Sequence, residues 1–216
     1  MISNLCLSQT LLRLMGLINM SILIDNLRKS YGNTEVLKGI NFEFKDGKKY
    51  LIKGENGAGK STLIKAILNQ IHYSGFIYTD SRISYCPECS LMLSFMSLET
   101  FIKTFSTLTE IIDDIDKKVE DMLKEFDILR YKKCYLGSLS KGQRQKANII
   151  QSLLTPSEIV IMDEPLSGLD PSSRKRLVDM IINDDRMYII ISHELELFKK
   201  ENFIYLGIDD GHLKVL

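Results

Sequence analysis

The sequence has no surplus of charge. Its 216 residues contain 28 lysines and arginines against 28 aspartates and glutamates. A sequence-independent nucleic-acid binder usually carries a basic excess, so no nucleic-acid partner is expected. Cysteine is scarce. Four in a chain of this length do not make a disulfide scaffold. Cys6 and Cys134 have no close cysteine neighbour, and reduced thiols in a cytosolic protein are the default expectation. Long apolar runs are missing too, since none approaches the roughly 20 residues that span a bilayer. The N-terminal stretch MISNLCLSQTLLRLMGLIN comes nearest, but Arg13 interrupts it. It starts without positive charge and lacks a small-residue cleavage site, so it fits a signal peptide poorly. Leu7, Leu11, Leu14, Met15 and Ile18 fall at helical spacing. The simpler expectation is that Met20 is the true start and that residues 1–20 form an extension outside the folded domain.

What is present suits one domain carrying a subdomain, and 44% apolar content can bury a core. From Ser21 onward ILIDNL, INFEF and KYLIKG read as strands, with turn signals at Tyr31-Gly32-Asn33 and Asp46-Gly47. FIYT and ISYC read as short strands, and STLIKAILNQ as a helix. Met96 to about Leu154 reads mostly as helix, with Phe101, Phe105 and Leu108 on one face and Val119, Leu123 and Phe126 on another. EIVIM and MYIIIS are continuous apolar runs of the kind buried on both faces of a parallel sheet. SSRKRLVDMII and HELELFKK read as helices, and two weak strands flank Gly211. The order predicts an α/β core with an antiparallel β part and a helical insertion.

GENGAGKST, Gly54 to Thr62, matches G-x-x-x-x-G-K-[ST], with a strand before it and a helix after. An ordinary glycine-rich turn would not need that full pattern in that setting. Gly54, Gly57 and Gly59 let the backbone of Glu55, Asn56 and Ala58 curl and present N–H groups to phosphate oxygens. The helix beginning near Lys60 adds its positive dipole end. Lys60 is expected to reach the β- and γ-phosphates, and Ser61, followed by Thr62, to ligate Mg²⁺. IVIMDEP supplies the matching acids. Asp163 ends a buried strand, where it can hold Mg²⁺ through water. Adjacent strand residues point oppositely, so Glu164 is expected to face the attacking water. Taken alone, the pair could equally cap a helix.

SLSKGQRQ can be read locally as a capping box, with Ser140 and Gln143 opening a helix. Leu139-Ser140-Lys141-Gly142-Gln143 also resembles the LSGGQ signature of ATP-binding-cassette (ABC) ATPases, and it stands just before the acidic strand as in that family. Tyr31 looks like the aromatic that stacks on adenine, SGLD from Ser167 to Asp170 like the D-loop, and His193 like the switch histidine. Each mark is weak alone, and their joint order is specific. The resemblance runs from about Ser21 to the C-terminus. It implies an α/β P-loop NTPase core with an antiparallel β-subdomain and a helical signature subdomain at about 90–155, all within a single ABC ATPase domain at 21–216.

Cys86-Pro87-Glu88-Cys89 poses a choice between a CxxC metal or redox pair and a functional Glu88. A structural zinc site wants four ligands, and no second CxxC or histidine pair completes one. The resemblance puts Glu88 where the family has a glutamine that senses Mg²⁺, water and the membrane partner, in a GYLPE-like variant associated with exporters. Two departures are Glu88 for glutamine and Lys141 for the first signature glycine. If that glycine position needs φ > 0, Lys141 costs on the order of 1 kcal/mol.

The resemblance implies an ATP-hydrolysing subunit of an ABC transporter, using ATP and Mg²⁺. It would work as a homodimer or heterodimer in which Ser140, Gly142, Gln143 and Asp170 serve the partner's nucleotide. It would sit on the inner face of the cell membrane through a separate permease, and it would act in export. The resemblance implies that Leu91, Met92, Leu93, Phe95, Met96 and Leu98 form the docking surface, the other reading being that these side chains pack into the helical subdomain's own core. The alternative is a soluble, non-transport member of the superfamily. The compact insertion and single cassette disfavour it, because chromosome-associated members carry a long coiled coil and translation-associated members carry two cassettes.

Overall fold

The computed structural model describes residues 21–88, 93–194, 196–199 and 201–216. The N-terminal extension, Cys89, Leu91 and Met92 lie outside the described residues.

Two sheets form the frame. Strands β1 (Ser21–Tyr31), β2 (Thr34–Lys45) and β4 (Ser74–Tyr78) make a three-stranded antiparallel sheet in the order β2-β1-β4. The second sheet has six strands in the order β5-β6-β7-β3-β8-β9. Its members are β3 (Lys49–Lys53), β5 (Ile83–Cys86), β6 (Ile159–Asp163), β7 (Met187–Ile191), β8 (Ile204–Asp209) and β9 (His212–Val215). It is parallel except for β9, which turns back on β8.

The central strands are buried on both faces, as their unbroken apolar runs require. In β6, Ile159 and Ile161 join a core with Ile22, Leu37 and Phe44 of the antiparallel sheet and Leu63 and Ile64 of α1 (Lys60–Ile67). Val160 and Met162 face the opposite core, built on α2 (Leu98–Ser106), α3 (Ile115–Glu125), α4 (Lys141–Leu154) and α5 (Pro171–Asn183). The period-two alternation of a strand therefore divides this segment between two cores.

Local chemistry sets the helix starts. The Ser97 hydroxyl accepts from Thr100 N–H at 3.2 Å and opens α2. Ser140 and Gln143 complete a reciprocal capping box on α4 at 3.2 and 2.8 Å. Asp170 caps α5, with Pro171 in its first turn, where a missing N–H costs nothing.

Two expectations fail. Leu108 is 67% exposed, because α2 ends at Ser106 and the helical phase does not continue. HELELFKK forms no helix among its described residues. Val119, Leu123 and Phe126 are fully buried as their spacing requires.

Candidate nucleotide-binding site

A cavity of about 490 Å³ opens at the carboxyl ends of the parallel strands. Asn56, Gly57, Gly59, Lys60, Ser61 and Thr62 line it from the loop after β3. Glu88 enters from beyond β5, Asp163 and Glu164 from β6, and Ile191 and His193 from β7. Open α/β sheets place ligands at this edge because every strand there delivers its loop to the same crevice.

The loop geometry fits a phosphate group. Gly59 precedes α1 with φ of 105°, a left-handed conformation that a side chain would strain. α1 then points its N-terminus into the cavity with Lys60 as its first residue. The Lys60 ammonium donates to the Gly54 carbonyl at 2.7 Å and the Glu55 carbonyl at 2.9 Å, so it is held across the loop. Gly54, Glu55 and Ala58 shape the loop without lining the cavity.

Asp163 is nearly buried at the strand end. Burial pushes its carboxyl up, and the Glu88 charge adds to this against the pull of the Ser61 hydroxyl, Lys60 and Lys65. Glu164 departs from the expectation that it continues the strand and points opposite Asp163. β6 stops at Asp163, and Glu164 adopts φ of 47°. Its N–H donates to the Ile191 carbonyl at 2.9 Å, which pins the turn. The left-handed turn, not strand alternation, separates the two carboxylates. Glu164 Oε2 accepts from His193 N–H at 3.3 Å. Glu164 Oε1 is buried with no hydrogen bond among the described residues, and His193 Nε2 stands 3.4 Å away. Burial also pushes this carboxyl up, partly opposed by His193. Such an unsatisfied, raised, strained carboxylate is a hallmark of a working site.

Ser61, Asp163 and Glu88 offer only hard oxygen donors, which suits Mg²⁺. Among the described residues no three His, Cys, Asp or Glu side chains are grouped to hold an ion by themselves. Mg²⁺ sites commonly use a few protein oxygens that share the ion with substrate phosphates.

The remaining sequence candidates lie outside this cavity. Tyr31 is half exposed at the end of β1, with the Lys29 ammonium 4.8 Å from its ring centre. Ser140 and Gln143 are engaged in the cap of α4. Gly142 touches the D-loop of its own chain: a Cβ there would come within 2.5 Å of the Gly168 carbonyl. Lys141 is the first helical residue of α4 and is not among the positive-φ positions, so the strain considered for it does not arise. The Asp170 carboxylate is used inside the chain. It accepts from Ser173 N–H at 2.9 Å and pairs with the largely buried Lys146 at 2.7 Å. Ser167, the first residue of the SGLD stretch, lines the cavity. Lys146 and Glu194 escaped the sequence reading. Glu194 lines the cavity beside His193, whereas nothing in the local sequence marks Lys146.

Cys86 is fully buried, and burial raises its thiol to about 12. A thiol so far from ionisation is a poor nucleophile or metal ligand.

Comparison with known proteins agrees with this architecture. The ABC transporter family model matches residues 37–167, more than half of the chain. An uncharacterized ABC transporter ATP-binding protein of Methanocaldococcus jannaschii is 32% identical over 184 residues, covering 83% of this chain and 70% of its own. The uncharacterized ABC transporter ATP-binding protein YthP of Bacillus subtilis is 35% identical over 185 residues, covering 83% of this chain and 78% of its own. A solved ATP-binding subunit of an ABC transporter superposes with a TM-score of 0.81 over 90% of each chain, at 22% identity, which shows the shared fold. The chain therefore belongs to the ABC transporter family, as an ATP-binding subunit whose domain family hydrolyses ATP.

Proposed function

We propose that this chain is a single ABC ATPase domain over 21–216, with a helical subdomain at about 90–155, and that it powers export through a separate membrane permease. The observation that carries the reading is the convergence of Lys60, Ser61, Asp163, Glu164 and His193 on one cavity. Lys60 and the loop amides hold the β- and γ-phosphates of ATP. Glu164 accepts a proton from the attacking water, and His193 orients it and touches the γ-phosphate. Ser61 and Asp163, with Glu88 nearby, would hold Mg²⁺, which would supply charge neutralisation at the phosphate oxygens. Tyr31 stacks on the adenine.

A second copy, or a related subunit, presents Ser140, Gly142, Gln143 and Asp170 to the nucleotide. The test is size measurement of the Glu164→Gln variant with ATP and Mg²⁺. A dimer that forms only with ATP supports the sandwich, and a persistent monomer defeats it.

Among the described residues no helix is long and apolar enough to cross a membrane. The reading assigns the pathway to a separate permease. Of the described residues expected to dock the permease, not all are exposed. Leu98 is fully buried, and Leu93 and Met96 pack against the core. Phe95 is 72% exposed and Tyr135 62%. The two lie on neighbouring segments joined by the Ser97–Tyr135 bridge and the Leu136 N–H to Met96 carbonyl bond of 2.9 Å. Paired exposed aromatics suit a partner helix. The subunit would then sit on the inner membrane face. Replacing both by serine should abolish co-purification with the permease while leaving ATP binding intact. Retained co-purification defeats the docking assignment. Absence of any permease in pull-downs of the unmodified protein favours a non-transport member. Export rests on the family resemblance around Glu88 and Lys141.

A further inference from the structure

The cavity assigned to ATP is rich in acidic groups. Among the described residues its lining includes the carboxylates of Glu88, Asp163, Glu164 and Glu194 against the single ammonium of Lys60. Glu194 is neutralised by an ion pair with Arg174. Lys60 is nearly buried, and its charge is already shared by two loop carbonyls. Glu164 has His193 beside it, while its Oε1 lacks a hydrogen bond among the described residues. Glu88 is exposed on the cavity wall and makes no hydrogen bond or ion pair among the described residues. Free ATP would bring three to four negative charges into this wall, whereas its magnesium complex brings about two fewer.

We infer that Glu88 makes this cavity selective for the metal–nucleotide complex and closes it to free nucleotide. The inference rests on the reading of the cavity as the ATP site. It assigns Glu88 a specificity role that a neutral amide would not perform. The loop amides and the N-terminus of α1 attract phosphate with or without metal, so they cannot make the distinction. Glu88 can, because its charge repels an unscreened phosphate tail and attracts one that carries a cation. Glu88 lines the same cavity as Ser61 and Asp163, which places its charge beside the oxygens proposed to hold the ion.

The experiment is equilibrium dialysis of labelled ATP with the wild-type protein, Glu88→Gln and Glu88→Asp, each in excess Mg²⁺ and in excess EDTA. Wild-type affinity should fall ~100-fold or more in EDTA. A neighbouring charge shifts equilibria by ~10- to ~1,000-fold, so Glu88→Gln should regain at least ~10-fold in EDTA and change less than ~10-fold in Mg²⁺. Glu88→Asp keeps the charge and should remain metal-dependent, which separates charge from shape. Wild-type binding that is equal in both media overturns the inference and leaves the ATP site standing. A Glu88→Gln variant that gains nothing in EDTA overturns it as well. Absence of ATP binding in either medium overturns the site assignment and the inference together.

Discussion

Two acidic regions lie close together in the chain and are treated in opposite ways. Asp163 and Glu164 sit at the end of β6 with their carboxyls pushed up by burial and with few partners. Asp170 opens α5, where Lys146 first and then the Ser172 and Ser173 donors hold its carboxyl well below the usual range. The first pair destabilises the empty protein when ionised, and the second group stabilises it. Within one chain Asp170 is satisfied, whereas Asp163 and Glu164 are left short of partners. Each of the following experiments tests that contrast.

The largest effect is expected at Lys60, the cation of the unsatisfied region. Lys60→Ala should abolish measurable ATP binding, because the lysine is the main fixed charge for the β- and γ-phosphates. Unchanged affinity by equilibrium dialysis would refute the phosphate-site assignment. Glu164→Gln should bind ATP and lose ~10²–10⁴-fold in turnover, as expected when a general base is removed. Near wild-type hydrolysis would show that the base lies elsewhere.

On the satisfied side the change should appear in stability. Asp170→Asn keeps an oxygen for the cap and loses the ion pair. Lys146 is largely buried while Asp170 is half exposed, so the loss should fall between that of a surface pair and a buried pair, about 2 kcal/mol. The lowered carboxyl contributes stability above its unfolded pKa of ~3.9 and loses it as pH falls through the folded value. The variant's deficit should therefore be full at neutral pH and shrink in strong acid. A pH-independent deficit in urea titrations would indicate packing rather than charge.

Asp163→Asn should do the reverse. A raised carboxyl favours the folded state below its unfolded pKa, and that advantage is lost as pH rises through the folded value. The variant should melt a few degrees above wild type at pH 7 without nucleotide, and the gap should close near pH 4. A variant less stable at pH 7 would show that Asp163 is structurally satisfied. The smallest effect belongs to the CPEC cysteines. Replacing Cys86 and Cys89 by serine should leave ATPase activity within a few-fold, and the wild-type protein should contain no stoichiometric zinc by elemental analysis. Zinc lost on substitution would revive the metal reading.

The phosphate loop was legible because its residues are contiguous and its chemistry is backbone chemistry. The same holds for the capping box of Ser140 and Gln143, whose partners lie three residues apart. The strand at Ile159 to Asp163 was legible from its unbroken apolar run. Leu108 misled because the period of α2 was extended past the residue where the helix stops. Glu164 misled because its turn depends on a carbonyl at Ile191, on a different strand. Lys146 was invisible because a lysine four residues beyond Gly142 looks like an ordinary solvated helix residue until the fold encloses it.

By itself, the sequence determined the family, the order of elements and the contents of the phosphate loop, because short-range spacing and hydrophobic period encode them. Only the tertiary structure decided which carboxylates are left wanting a partner. That depends on distances between segments far apart in the chain. Lys146 reaches Asp170 at 2.7 Å and turns one acid into scaffold. Glu88, Asp163 and Glu164 converge from two strand ends onto one cavity, where Lys60 is the one lysine among the described lining residues.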